Sequence, residues 1–400
     1  MISRRKLITN SMIAAGSGVL GVSSAFPASG SERVSSIQNQ VNTNSSEKKM
    51  KFINLYDLEN IAEKSLPTGA FGYVKNGAED ELTLKNNISS FDKKRILPHG
   101  LSAIDDIDLK SNILGINLKS PIILAPMAAH GLMHKDAEKE TIKGVSAAGT
   151  IMSISTYASV PVEDIARSAP DTPLFAMLYM SKDNGFNEYF INKARISGAK
   201  AIILTIDAGT PGNRESDIRN NYQYSVSTPN VTDYYKGKTV TQSEARASRK
   251  ISFSPDDIKY VKKVSGLPVL VKGIMSVTDA EKAISAGADG IWVSNHGGRQ
   301  LDSAPASFDV LPDIVEAVNK RVPVIFDSGI RRGTHIFKAL ACGADIVAIG
   351  RPVLYGLHNG GADGVTNVFE HLNKELITTM ILAGARNIDD IKKNTLMEVI

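Results

Sequence analysis

Residues 294–302 read Ser294-Asn295-His296-Gly297-Gly298-Arg299-Gln300-Leu301-Asp302 and follow directly on the apolar run Ile291-Trp292-Val293. A strand that ends here delivers a histidine, two glycines and an arginine into one loop. A neutral histidine takes a proton near pH 7. An arginine grips a carboxylate through a planar, bidentate fork. Three residues apart, the pair suits deprotonation of a small molecule that carries a carboxylate. A second apolar run ends in Thr205 and Asp207, with Arg214 beyond. A buried carboxylate beside His296 is expected to raise its basicity, and two arginines would fix the orientation of an acid.

These residues need a frame to bring them together. From residue 121 the chain alternates short apolar runs with amphipathic stretches. The runs are Pro121–Ala125, Thr150–Ser155, Leu174–Tyr179, Ala201–Ile206, Pro268–Val271, Gly290–Val293, Pro323–Phe326 and Ile346–Ile349. Most lack polar alternation, as parallel strands buried on both faces do. Helical patterns such as Asp136–Ala148 and Thr278–Ala286 lie between them. Gly198-Ala199, Gly287-Ala288 and Gly343-Ala344 supply helix C-caps just before three strands. Eight such units predict an α/β fold, a (β/α)8 TIM barrel. A doubly wound sheet would need a glycine-rich first turn, and Pro126-Met127-Ala128-Ala129 is not one. Residues 51–120 form an N-terminal helical cap, with a helix at Leu55–Lys64, the run Gly69-Ala70-Phe71-Gly72-Tyr73 and a second helical stretch. The connection Ala208–Ser254 is long and polar, which marks a lid or binding loop after strand 4.

In such a barrel the active site lies at the C-terminal ends of the strands. Reading those ends in order gives Pro126, Met127 and Ala128; Ser155 and Tyr157; Met177 and Tyr179; Thr205 and Asp207; Lys272; Ser294, His296 and Arg299; Asp327, Gly329 and Arg331; and Gly350 with Arg351. Glycine plus arginine at the last two strands is the pattern of a phosphate anchor. With the internal Lys272, it suggests a mononucleotide.

The segments SNHGGRQLD at 294–302, LTIDAGTPGNRE at 204–215, VLVKG at 269–273, FDSGIRRG at 326–333 and AIGRPVLYG at 348–356 resemble the FMN-dependent L-2-hydroxy acid oxidase family over roughly residues 52–396. The resemblance implies FMN as cofactor and the following roles. His296 is the base, oriented by Asp207. Arg214 and Arg299 grip the substrate carboxylate, Tyr73 and Tyr179 contact carboxylate and hydroxyl, and Tyr234 helps close the pocket. Lys272 sits by the N1–C2 edge of the flavin. Ser155, Thr205 and Ser294 bond the ring or ribityl chain, and Asp327, Gly329, Arg331, Gly350 and Arg351 hold ribityl and phosphate. Pro126, Met127 and Ala128 line the cofactor's side of the pocket. One departure stands out. Met177 occupies the position of a family glutamine, and a thioether neither donates nor accepts well. Weaker FMN binding or a shifted flavin potential is the expected consequence.

The compact Tyr73, Tyr179 and Ala128 pocket favours a short side chain, L-lactate first and glycolate and other L-2-hydroxy acids behind it. The polar long loop, with Lys236-Gly237-Lys238, and the absence of a preceding haem domain favour O2 as electron acceptor over a quinone or cytochrome. An FMN-dependent isomerase would not need the His296, Arg214 and Arg299 set, and an FMN-binding protein of low activity draws only on Met177. The family implies a homotetramer.

The bulk numbers agree with a globular enzyme. Charged residues make up 22% of the 400, and the net charge of +4 is interleaved with acids, so no nucleic-acid surface is expected. One cysteine, Cys342, precludes an internal disulfide and reads as a small buried hydrophobe. The histidines show no ligand spacing, and no metal is expected. His130, His134, His335, His358 and His371 read as structural or surface groups, and Tyr157, Tyr222, Tyr224 and Tyr235 as packing or entrance residues. Ser3-Arg4-Arg5-Lys6-Leu7-Ile8, the weakly apolar Met12–Val22 and Ser23-Ser24-Ala25 resemble a twin-arginine export signal over residues 1–25. Its apolar stretch is too short to span a membrane stably. Removal lowers the net charge to +1. Residues 26–50 read as a disordered linker before the barrel domain at 51–400, and export to a bacterial periplasm follows.

Overall fold

Eight strands carry the architecture in a computed structural model that describes residues 52–235, 244 and 248–399. The expected export signal, the linker and Lys236-Gly237-Lys238 lie outside the described residues. The strands are β1 Ile122–Leu124, β2 Met152–Ser155, β3 Leu174–Leu178, β4 Ala199–Thr205, β5 Val269–Ile274, β6 Gly290–Val293, β7 Val324–Phe326 and β8 Ile346–Ile349. Each matches one apolar run of the sequence to within two or three residues. All pair in parallel, running from β2 through β3 to β8 and on to β1. A parallel bridge between Met127 and Ile154, with Leu124 N–H donating to Ile151 O at 3.2 Å, joins β1 to β2 and closes the ring. The fold is a (β/α)8 barrel.

Side chains alternate across the strands, as the two-residue period requires. Ile123, Phe175, Met177, Ile203, Leu270, Trp292, Ile325 and Ala348 fill the barrel interior. Their neighbours, such as Ile122, Leu124, Ile202 and Val293, pack outward against the helices. A hairpin of Ser111–Ile113 with Ile116–Leu118 precedes β1 and adds Ile113 and Leu118 to the inner cluster, closing the N-terminal end. Chemistry is thereby confined to the other end. The helices Ala137–Ala148 and Val277–Ser285 agree with the expected patterns. Gly198, Gly287 and Gly343 take φ of +90°, +91° and +97° before β4, β6 and β8.

The cap differs from expectation in one respect. The glycine-rich run Gly69–Tyr73 is itself helical, inside Thr68–Lys75, between helices Leu55–Ser65 and Leu82–Ser89. Its glycines serve close approach. A Cβ at Gly69 would meet the Tyr222 ring at 2.4 Å, and one at Gly72 would meet Ser216 Oγ at 3.1 Å. The connection after β4 therefore lies directly on this helix and places Tyr73 at the mouth of the barrel.

Candidate active site

His296 is the residue that the surroundings constrain most. It has a left-handed backbone, φ +59°, followed by Gly297 at +68° and Gly298 at +72°. A non-glycine residue there is strained. The turn starts where β6 ends and points the imidazole back over the barrel. Its Nδ1 lies 2.9 Å from Asp207 Oδ1 and its Nε2 lies 3.1 Å from the Tyr179 hydroxyl. Burial lowers the His296 pKa below its ordinary 6.5; Asp207 opposes this, while Lys272 and Arg299 add to it. The ring is neutral at pH 7, ready to accept a proton at Nε2. The expected rise in basicity from Asp207 is present but outweighed, because the site withdraws the ring from water. For Asp207 itself, burial pushes upward, and His296 and Lys272 outweigh it, so the carboxyl stays ionised.

Beside the histidine, Lys272 on β5 donates to Ser294 Oγ at 2.7 Å and lies 3.4 Å from Asp327. Asp327 also accepts from Trp292 Nε1 at 2.9 Å and from Ser328 Oγ at 2.8 Å. These bonds hold a buried lysine and carboxylate at the base of one cavity. Its walls include Tyr73, Pro126, Met127, Ala128, Tyr179, Lys272, His296 and Arg299. Asp327, Gly329, Arg331, Gly350 and Arg351 line it as well. The helix Arg351–Ala383 begins there, so its backbone N–H groups add to the anion-binding character.

The arginines converge on the cap. Arg299 Nη1 donates to Tyr73 O at 2.6 Å and Asn76 O at 2.9 Å, and its guanidinium carbon lies 5.0 Å from the Tyr73 ring centre. Arg351 donates to Val74 O and Gly297 O at 2.8 and 2.9 Å. Burial, helped by Arg299, pulls the Arg351 pKa down to about 9. Both cations sit at the C-terminus of helix Thr68–Lys75, where the backbone dipole favours them.

Several expected residues stand apart from the cavity wall. Arg214 is held by Asp217 at 2.8 Å and lines a neighbouring cleft that shares Tyr73, with its guanidinium carbon 5.6 Å from that ring. Tyr234 does not close the pocket. It donates to Asp183 at 2.9 Å and packs against Phe186 and Tyr189 of helix Asn184–Ile196 and against its neighbour Tyr235. The short helix Pro229–Thr232 carries it there. Met177 faces the barrel interior rather than the cavity wall and is fully buried. Ser155, Thr205 and Ser294 are buried at their strand ends, beneath the wall.

Other residues do more than the sequence implied. Tyr224 accepts from Ala129 N–H at 2.9 Å, and its ring centre lies 5.1 Å from that of Tyr73. Gln300 bonds Gly212 N–H, Asp207 O and Thr210 O, tying the β6 turn to the β4 connection. Asp302 accepts from Leu82 and Thr83 N–H and docks the cap helix Leu82–Ser89. Both lie in the 294–302 segment, which was a sufficient signal. Arg249 approaches Tyr157 and Tyr179 from the long loop without any motif to announce it.

The set fits FMN. Among the described residues, the buried side-chain atoms with no hydrogen-bond partner include Arg331 Nε and Thr205 Oγ1. Orphans of this kind cost about 1–3 kcal/mol each unless a ligand pairs them. Arg331 lines the cavity with Gly350 and Arg351 and would suit a phosphate, and Thr205 ends β4 and would suit a polar edge of a ring or ribityl chain.

Comparison with known proteins agrees. The family described as FMN-dependent dehydrogenase matches residues 62–398. An L-lactate oxidase of Lentilactobacillus hilgardii is 50% identical over 367 residues, 91% of this chain and 99% of its own. An L-lactate oxidase of Streptococcus iniae is 46% identical, covering 90% of each chain. Among solved structures, a lactate oxidase of Pediococcus acidilactici superposes with a TM-score of 0.85 at 49% identity, over 88% of this chain and 97% of its own. A mandelate oxidase superposes at 0.81 and 31% identity, over 88% of this chain and all of its own. With a match spanning the whole barrel and a cavity suited to the cofactor, this chain belongs to the FMN-dependent dehydrogenase family, and its cofactor is FMN.

Proposed function

We propose that this chain oxidises small L-2-hydroxy acids, L-lactate first among them, to the 2-oxo acid, with O2 taking the electrons and H2O2 leaving. One observation carries the reading: a neutral His296, braced by Asp207, turns Nε2 towards Tyr179 with Arg299 in the same cavity wall. Relatives named L-lactate oxidase and (S)-2-hydroxyacid oxidase support it. The substrate gives up two electrons and two protons, and O2 gains both.

In this reading Arg299, with Arg214 from the adjoining cleft, binds the carboxylate. Tyr73 and Tyr179 orient the carboxylate and hydroxyl, and His296 Nε2 takes the hydroxyl proton. Asp207 stabilises the resulting imidazolium. Tyr222 and Tyr224, from the connection after β4, pack their ring centres 5.6 and 5.1 Å from that of Tyr73. FMN, when bound, accepts the two electrons from the α-carbon. Lys272 would offset the negative charge that the ring gains, and Gly329, Arg331, Gly350 and Arg351 would hold the phosphate.

The test is anaerobic addition of L-lactate to the yellow protein, followed by air. Bleaching, rapid recolouring and stoichiometric peroxide are expected. Slow recolouring would replace O2 with a quinone or cytochrome as acceptor. No bleaching with lactate, glycolate or longer hydroxy acids would overturn the reading. Residues 1–25 are proposed to direct export by the twin-arginine route. Fractionation of cells making the full chain and its Arg4→Lys/Arg5→Lys variant tests this, since the variant should stay inside. A homotetramer is proposed as well, and light scattering of the purified protein decides it.

A further inference from the structure

We propose that Arg249 is a positioning residue for proton transfer at His296. This rests on the function proposed above. Its backbone is fixed first. Residues 248–250 pair antiparallel with 180–182 just beyond β3: Ser181 bridges Arg249, Lys182 N–H donates to Ser248 O, and Lys250 N–H donates to Met180 O, both at 2.8 Å. Arg249 is thereby registered two residues past Tyr179.

Its side chain reaches back over the site. The guanidinium carbon lies 4.4 Å from the Tyr179 ring centre and 4.5 Å from that of Tyr157. Nε donates to the Tyr157 hydroxyl at 3.0 Å, and Nη1 donates to Ala208 O at 3.3 Å. The two ring centres are 5.3 Å apart, so one planar cation lies against both electron-rich rings and holds them in place.

One group it braces is a partner of His296, and another adjoins the second partner. Tyr179 faces Nε2, the atom that takes the proton. Asp207, one residue before Ala208, faces Nδ1. Arg249 therefore fixes both ends of the imidazole's hydrogen-bond axis without lining the cavity.

The experiment compares Arg249→Met, which keeps the stem and loses the charge, with Arg249→Lys, which keeps the charge and loses the planar fork. Each holoprotein is assayed for FMN content, kcat with L-lactate and affinity for oxalate, an unreactive carboxylate seen through the flavin spectrum. A slight misplacement of catalytic groups costs up to about 100-fold, so Arg249→Met should lose about 10- to 100-fold in kcat. FMN content should be unchanged, oxalate affinity should stay within about twofold, and Arg249→Lys should recover part of the rate. A kcat within about twofold of wild type overturns the proposal. So does oxalate affinity that falls in step with kcat, which would make Arg249 a substrate ligand. Should Arg249→Met not fold, Arg249→Lys decides by the same two readings. A wild-type holoprotein that turns over no hydroxy acid would remove the proposed function itself, before any variant is compared.

Discussion

Replacing Asp207 by asparagine removes one charge from the site and leaves its shape. Before reaction the carboxylate accepts the Nδ1–H of a neutral His296 at 2.9 Å. Once Nε2 has taken a proton, the same contact becomes an ion pair, with side chains 19% and 14% exposed. Two unit charges about 4 Å apart attract by about 4 kcal/mol at an effective dielectric near 20. An amide oxygen still accepts the Nδ1–H and retains about 1 kcal/mol. The difference, about 3 kcal/mol of transition-state stabilisation, corresponds to a loss of about 100- to 200-fold in the chemical step. Substrate affinity should hold within about twofold, because the charge arises only after the proton moves. The pH profile gives an independent sign. Asp207 raises the His296 pKa against the lowering by burial. Its removal therefore lowers that pKa further, and the acid limb of kcat/KM moves to lower pH. Anaerobic stopped-flow reduction of the flavin by L-lactate, from pH 5 to 8 and at matched FMN content, measures both. A loss smaller than about fivefold, or an acid limb that moves upward, would refute the assignment of Asp207 as the stabiliser of the imidazolium.

Three further outcomes are expected. If position 177 contacts the flavin as the family pattern implies, Met177→Gln adds a group that both donates and accepts, so FMN should bind about 2- to 10-fold more tightly, measured by dialysis; unchanged affinity would mean that Met177 is packing alone. Arg351→Met removes a cation from the phosphate end, and FMN affinity should fall by about 10- to 100-fold, the worth of a charge-assisted bond; retention of full flavin through gel filtration in dilute solution would contradict this. Burial pushes the Glu138 carboxyl up to about 7 from its ordinary 4.5, against donors from Ser159. Between those values the folded protein holds the extra proton, so this group's contribution to stability is lost as pH rises from 4.5 to 7. Glu138→Gln should therefore stabilise the protein by about 3 kcal/mol more at pH 8 than at pH 4, and denaturant unfolding at the two pH values checks the sign.

Much of this molecule was legible because two kinds of signal are local. Uninterrupted apolar runs mark strands buried on both faces, and each of the eight is a barrel strand. Polar groups cluster at strand ends, so their order along the chain already assigns His296, Lys272, Asp327 and Arg351 to one end of the barrel, and they line one cavity there. Tyr234 and Arg249 show where that logic stops. Both lie in the long connection after β4, where no periodicity fixes which side chain faces the barrel. Tyr234 turns away because Asp183 and an aromatic cluster on helix Asn184–Ile196 bind it. Arg249 turns inward because its backbone pairs beyond β3, a long-range contact that a single sequence does not encode in any spacing. Met177 was legible as a residue type and not as an orientation, since β3 is buried on both faces.

The glycines of the 294–302 turn explain why base and cofactor ends are built together. A Cβ at Gly297 would meet Arg351 Nη1 at 2.6 Å, and one at Gly298 would meet the backbone nitrogen of Leu84 at 2.6 Å. The first allows the phosphate-end arginine to bond Gly297 O, one residue from the base. The second lets the cap helix Leu82–Ser89 rest on the turn, where Asp302 secures it. The strained backbone of His296 thus lies between two close contacts that only glycine permits. One contact carries the cofactor's arginine and the other carries the cap that presents Tyr73. A shift in either would move the turn that holds the imidazole, so on the proposed assignment cofactor anchoring and base geometry form one mechanical unit rather than two adjacent sites.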